Sequence, residues 1–350
     1  MAPRRGLIEL RTAPHQQAAE DVPVIMRNVV YALLPIVAFS IWQYGLSALA
    51  LVLVVVASTL GTERWMNRLS GRASTLGDSS ALITGLLLAL TLPPGFPLWM
   101  GALAGFIAIA LGKALFGGLG CNVFNPALVG RAFAQAAFPT AITSWTPAYF
   151  PSRFVEFIPT TFTLPFMRPA DTLAWAQARV DGFTGATPLA RWQFDHIVTP
   201  WQDLVSGVAT ASAGETSALL ILLCGIYLAV RRFMDWRIPV AVLGTAAVLA
   251  WGFQWWDPAR YPDPLFVLAS GGLMLGAVFM ATDMATAPMT PLGVWLYGGV
   301  IGVLTVVIRY FGGLTEGVMY AILFANALAP LIDEYTQPRV FGAVKRSKRA

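Results

Sequence analysis

The chain has 350 residues, 57% of them hydrophobic and 12% charged, about half the charged share of an ordinary soluble domain. That balance excludes a conventional globular enzyme. The net charge of +5 does not point to nucleic acid, because the basic residues flank hydrophobic runs instead of gathering on a polar domain.

Residues 1–23 are polar and basic, with no apolar core before a small-residue site, so they read as a cytoplasmic N-terminus and not as a cleavable signal. Five hydrophobic segments follow within residues 24–138: Val24–Tyr44, Ser47–Leu60, Ser79–Leu92, Phe96–Phe116 and Phe124–Phe138. Five more fill residues 216–333: Ser217–Val230, Ile238–Trp256, Leu265–Ala281, Leu292–Phe311 and Gly317–Ile332. A bilayer-spanning helix needs roughly 20 apolar residues, because lipid offers no partner for backbone polar groups. The expected fold is an all-α polytopic membrane protein, with the shorter segments tilted, broken or re-entrant.

Between the two groups lies Pro139–Glu215, with eight prolines and four tryptophans, read as an ordered excursion outside the membrane. A basic tail covers residues 334–350. The halves echo one another: LFGGLGCNVFNPAL (Leu115–Leu128) resembles YFGGLTEGVMYAIL (Tyr310–Leu323), each after a long apolar run. Similar halves with an odd number of crossings insert in opposite directions. About ten crossings are therefore expected as an inverted 5+5 repeat. Arg64, Arg68, Arg72, Arg231, Arg232 and Arg237 fall on the side of both termini, whereas the opposite connections hold only Arg260. This asymmetry puts the termini in the cytoplasm and residues 139–215 in the periplasm of a bacterial inner membrane.

Of the two cysteines, Cys121 and Cys224, both are expected as buried thiols in core packing. A lone cysteine cannot hold an iron–sulfur cluster, and the two histidines, His15 and His196, leave little for a metal site. Ionisable residues near or within the hydrophobic segments are Asp78, Lys113, Asp283, Glu316 and Asp333. Each sits at a segment end, where an interfacial role competes with an ion path. Asp283 lies close to Gly276, Pro288 and Pro291, and carbonyls freed by a broken helix there would join its carboxylate as oxygen ligands for sodium.

The outer segment DGFTGATPLA (Asp181–Ala190) surrounds two hydroxyls, Thr184 and Thr187, with the small residues Gly182, Gly185 and Ala186. By itself it is either a polar turn closed by Pro188 or an accessible hydroxyl for modification. D-x-x-T-G-A-T resembles the flavinylation motif of the B subunit of the sodium-pumping NADH:quinone reductase and the D subunit of the Rnf complex. Gly117–Phe133, Gly276–Pro288, Gly312–Asp333 and Tyr335–Gly342 look like segments of the same family in the same order, covering essentially the whole chain. The short N-terminal stretch resembles the Rnf subunit more. Thr184 stands where the family often has serine, which keeps the hydroxyl.

The resemblance implies FMN joined through a phosphoester to Thr187, with Asp181, Thr184, Gly185 and Ala186 as recognition residues for a flavin transferase. It also implies a noncovalent riboflavin in the membrane region. Asn122 and Asn125, three apart in GCNVFNPA, could meet an isoalloxazine edge with their amides. The plainer assignment has Asn122 capping a helix and Asn125 satisfying broken backbone beside Pro126. The expected function is a flavoprotein subunit of a ferredoxin:NAD oxidoreductase that translocates Na+ or H+. Its partners would be the bilayer, a second FMN-bearing subunit and iron–sulfur subunits, with no nucleic acid. The alternative is a channel for a small neutral solute, a use to which inverted five-plus-five repeats are also put. A TGAT loop has no purpose there.

Overall fold

The computed structural model describes residues 21–72, 74–165, 167, 169–180, 183–207, 211–215 and 217–338, and within them the only regular elements are helices. The first half holds α1 (Val22–Tyr44), α2 (Leu46–Leu69), α3 (Ser80–Thr91), α4 (Leu98–Ile109) and α5 (Pro126–Ala137). The excursion carries four short helices: α6 (Pro139–Ile142), α7 (Thr172–Gln177), α8 (Pro188–Asp195) and α9 (Trp201–Ser206). The second half holds α10 (Ala218–Val230), α11 (Arg237–Trp256), α12 (Pro264–Ala269), α13 (Leu273–Leu275), α14 (Pro291–Phe311) and α15 (Val318–Thr336). Two stretches widen to π-helical turns, Ala110–Ala114 after α4 and Gly276–Met280 after α13.

Five helices (α1, α2, α11, α14 and α15) are long and apolar enough to cross a bilayer, and the chain is a multi-pass membrane protein. Their outward faces carry Tyr31, Leu34, Leu53, Val248 and Trp251, apolar side chains left exposed as a lipid-facing surface requires. The apolar stretches Ser80–Thr91, Leu98–Ala114 and Ala218–Val230 are shorter. A 12-residue α3 spans only about 18 Å at 1.5 Å per residue. Ten of its residues are buried, so its neighbours and not lipid surround it.

Small residues set the closest helix contacts. On α4, a Cβ at Gly101 would stand 3.0 Å from Leu51 Cδ1, and one at Gly105 would stand 3.2 Å from the Val55 carbonyl of α2. On α14, a Cβ at Gly298 would lie 2.6 Å from Ala241 Cβ, and one at Gly302 would lie 2.6 Å from the Val242 carbonyl of α11. Each half thus brings its second and fourth long segments together through glycines four apart, the small-xxx-small contact of membrane helices.

The excursion is tied to one end of the bundle. Leu46 N donates to Arg153 O, Leu98 N to Thr161 O and Gly214 N to Leu90 O, so it grips the α1–α2 and α3–α4 turns. Gly45 in the first turn has φ +71, and a Cβ there would collide with the Arg153 carbonyl, so only glycine fits. At the other end Arg72 donates to the Gly117 carbonyl at 2.5 Å.

Several expectations change. α2 extends to Leu69, past the expected segment end at Leu60, so that Arg64 and Arg68 ride on the helix. Cys121 is exposed in the turn before α5 and is not core; only Cys224 is buried. Leu265–Ala281 is not one helix. It breaks at Ser270–Gly272, where Gly271 has φ +65.

Candidate functional site

At the end of the bundle gripped by the excursion, α8 begins at Thr187, whose Oγ1 accepts from Ala190 N at 3.2 Å and whose Pro188 opens the first turn. Threonine caps and first-turn prolines both suit helix starts, because the initial N–H groups have no partner within the helix. Ahead of it, Gly185 sits at φ +71 against Leu173, and Gln177 Nε2 donates to Phe183 O at 3.3 Å, so α7 supports the segment. Thr184 is exposed, Ala186 half-buried and Thr187 only 7% exposed. Asp181 lies outside the described residues. α8 rests on the second half through Gln193 Nε2 to Gly312 O (3.0 Å) and Trp192 against Tyr310, with ring centres 5.3 Å apart.

Toward the opposite end, α1, α3, α10 and the approaches to α5 and α14 surround a small pocket that is partly open to the surroundings. Asn122, Asn125 and Asp283 all line it. It is Asn125, not Asn122, that caps a helix: its Oδ1 accepts from Ala127 N (3.0 Å) while its Nδ2 donates to the Met280 carbonyl (3.0 Å). That amide therefore joins the two halves and is spent on backbone. Asn122, 5% exposed, makes only a 3.2 Å bond to the Phe124 carbonyl and a contact to Asp283, and faces the space.

One wall is ionic. The Lys113 ammonium, 4% exposed, donates to Glu63 Oε1 and Ser80 Oγ, each at 2.5 Å. Ser80 Oγ in turn donates to Asp78, and Thr75 Oγ1 donates to Glu63 at 2.6 Å. Both charges are buried yet matched, as burial in a low-dielectric interior demands.

The four carboxylates proposed for an ion path do not assemble. Asp78 accepts from Ser80, Asp283 from Ala285 N, and Asp333 from Met289 N and Thr290 N ahead of α14. Glu316 pairs with Arg131 at 2.9 Å. Among the described residues the four share no hydrogen-bond partner. At the break between α12 and α13, Arg309, 1% exposed, donates to Val267 O (2.7 Å) and Ser270 O (3.0 Å). A cation at a helix C-terminus meets the orphaned carbonyls that end it. Glu63, Arg131, Glu215 and Arg309 escaped the sequence reading. Glu63, Glu215 and Arg309 stand near segment ends, where charge is ordinary, and only packing shows Glu63 and Arg309 buried and Glu215 half-buried; Arg131, buried in the middle of the apolar PALVGRAFAQAA, is the one local hint.

Residues 9–342 match the model of the NQR2, RnfD, RnfE family. The chain belongs to that family. Among its relatives, the D subunit of the ion-translocating oxidoreductase complex of Halorhodospira halophila is 39% identical, over 96% of each chain. The D subunit of the proton-translocating ferredoxin:NAD(+) oxidoreductase complex of Clostridium ljungdahlii is 37% identical over 97% of each. The Na(+)-translocating counterpart of Acetobacterium woodii is 38% identical over 98% of each. Within the family this chain is most like the D subunits of Rnf complexes, and relatives named for protons and for sodium are alike in their distance from it.

Proposed function

We propose that this chain is the membrane flavoprotein subunit of an Rnf-type ferredoxin:NAD oxidoreductase, esterified to FMN at Thr187 and holding riboflavin in the cavity beside Asn122. The observation that carries this reading is the T-G-A-T segment ending on a helix-capping threonine. Thr187 Oγ1 acts only as an acceptor toward Ala190 N, a role that an ester oxygen retains, and the free N–H groups of an α8 N-terminus favour an adjacent phosphoryl anion. The chain's own contribution is to hold: Gly185 supplies the left-handed turn, and α7 and Gly312 fix the helix. With Thr187 7% exposed, the transferase must meet the segment before α8 settles on the bundle. Flavins supply one-electron transfer chemistry, and the protein orients and insulates them.

In this reading Asn122, whose amide also meets the Phe124 carbonyl and Asp283, faces the riboflavin, while Asn125 shapes the wall. The two glycine-matched helix pairs suit ten crossings in an inverted 5+5 repeat, with residues 139–215 in the periplasm and both termini in the cytoplasm of a bacterial inner membrane. Asp78 and Asp283 serve an inner ion entry, Asp333 supports the turn before α14, and Glu316 belongs to the outer end. Ferredoxin and NAD sites fall to partner subunits bearing iron–sulfur clusters and a second FMN. The test is in-gel fluorescence of the denatured protein, expressed with a flavin transferase, together with mass spectrometry of the Thr187 peptide. An unmodified peptide from a yellow preparation refutes the attachment.

A further inference from the structure

Between Phe154 and Met167, within the excursion, the sequence has one charged residue, Glu156. Phe154, Val155, Phe157, Phe162, Leu164 and Met167 are all exposed, Val155 by 80% and Phe162 by 59%. So much apolar surface in one segment marks a contact with something other than water.

The depth of the segment decides what that is. α1 and α2 are long enough to cross the bilayer, so the turn joining them at Gly45 stands at its edge. Leu46 N donates to the Arg153 carbonyl there, and Ile158 N donates to Ser47 Oγ at 2.9 Å. The chain then goes deeper. Gly101 of α4 packs against Leu51 and Val55 of α2, so α4 starts about one helical turn inside the Gly45 turn. Leu98 N, at that start, donates to the Thr161 carbonyl, and Thr160 Oγ1 donates to Gly95 O at 2.6 Å. Ile158, Thr160 and Thr161 are buried, whereas Phe157 and Phe162 beside them are exposed, with ring centres 4.9 Å apart.

Irregular backbone is tolerated at this depth only when the protein itself satisfies its polar groups. Val155 N and Glu156 N donate to Ser152 O, Thr161 N to Ile158 O, Thr163 N to Thr160 O and Met167 N to Leu164 O. The single carboxylate, on Glu156, is taken up by Arg179 at 2.8 Å. Arg153 lays its guanidinium over the rings of Tyr149 and Phe154, as a cation does when its stem is in apolar surroundings and its head among lipid headgroups. The surface is also continuous with the lipid-facing side of α1, because Tyr149 packs on exposed Trp42, which packs on Phe39. In the second half, exposed Trp255 and Trp256 close α11 at the same end of the bundle, where Phe253 meets Tyr310 and Tyr310 meets Trp192 of α8. Such aromatic girdles mark the boundary between lipid and water.

We propose that residues 154–167 form a membrane-embedded rim, whose apolar side chains enter the interfacial layer of the leaflet at the excursion's end of the bundle. Its partner is phospholipid and not another protein chain. The rim holds the excursion at a fixed height on the bilayer, and it requires only that the chain span the membrane, whatever becomes of the flavin assignment.

Photocrosslinking identifies the occupant. Val155→p-benzoylphenylalanine and Phe162→p-benzoylphenylalanine, in the full chain in phosphatidylcholine nanodiscs, should form phospholipid adducts on irradiation, read from the mass of the labelled peptide. The yield should match that of the same group at Leu53, on the lipid-facing side of α2, and exceed that at exposed Ala178 severalfold. In native membranes the two variants should give the same adducts. If Leu53 captures lipid in nanodiscs and either rim position does not, the segment lies in water and the proposal is overturned. A product of higher mass on denaturing gels, formed with another chain in native membranes, puts a protein partner on the surface and overturns it equally. Phe162→p-benzoylphenylalanine only adds a benzoyl group to an exposed ring, so it still decides if the Val155 variant fails to fold on gel filtration.

Discussion

Thr187 and Asn122 can each be tested by one substitution. Thr187→Ala should abolish covalent fluorescence after denaturation and cost about 1 kcal/mol through loss of the α8 cap. Thr187→Ser keeps hydroxyl and cap and should retain some label; equal label in Thr187→Ala would place the flavin elsewhere. Asn122 and Asn125 should separate, since Asn122 bonds only locally, to the Phe124 carbonyl, whereas Asn125 caps α5 and reaches across to Met280. Asn122→Leu removes a buried partner worth about 0.5–1.5 kcal/mol, or roughly three- to tenfold in riboflavin retention, with little change in stability. Asn125→Leu should lower the melting temperature of the detergent-solubilised protein, because it removes a cap and the bond to Met280 at once. Full riboflavin content in a well-folded Asn122→Leu protein would return that residue to a structural role. Lys113 makes a harsher case: Lys113→Ala strands a buried Glu63 carboxylate, a loss of about 3–5 kcal/mol expected to appear as poor accumulation in the membrane.

Among elements, the α11–α14 contact is the most exacting. A side chain at Gly302 would press on the Val242 carbonyl, which cannot rotate away, whereas nothing lies within 4 Å of a Cβ at Gly244 or Gly252 on α11. Gly302→Val should therefore destabilise by about 1–3 kcal/mol, and Gly244→Ala should be neutral or slightly favourable, compared by thermal unfolding in one detergent. Similar losses for both would mean the helices do not pack as described. The α12–α13 break follows the same logic of backbone supply and demand. Its carbonyls end a helix inside the bundle, where Arg309 donates to those of Val267 and Ser270. The residue therefore serves the fold first, and Arg309→Met should unfold the 264–280 region.

For the molecule as a whole, sidedness is the measurable quantity. A cysteine at exposed Ala178 in a Cys121→Ser background should react with a membrane-impermeant thiol reagent in intact spheroplasts. Native Cys121, exposed beside the Arg72–Gly117 contact at the other end, should react only after lysis. The reverse pattern would put the α8 platform in the cytoplasm. The excursion binds the turns at Gly45 and Pro93–Pro97 and so cannot be moved to the other side without moving them too.

Much of this was legible before any coordinates. Runs such as Ser47–Leu60 must be helical and membrane-bound, because apolar backbone in lipid has no other way to satisfy its N–H and C=O groups. Membership of the family was legible too, since its motifs are local strings of residues. Burial of charge was not. Glu63 and Arg309 resemble interfacial residues along the chain, and they are buried where Lys113, 50 residues away, meets Glu63 and where the carbonyls of Val267 and Ser270, 42 and 39 residues away, meet Arg309. Asn122 and Asn125 likewise look interchangeable until the Met280 carbonyl, 155 residues away, takes up the Asn125 amide and leaves Asn122 with only its neighbour Phe124 on the backbone. Hydrophobic periodicity and motif are properties of neighbours along the chain and can be read there. Which polar group finds a partner is a property of neighbours in space, and only the folded bundle decides it.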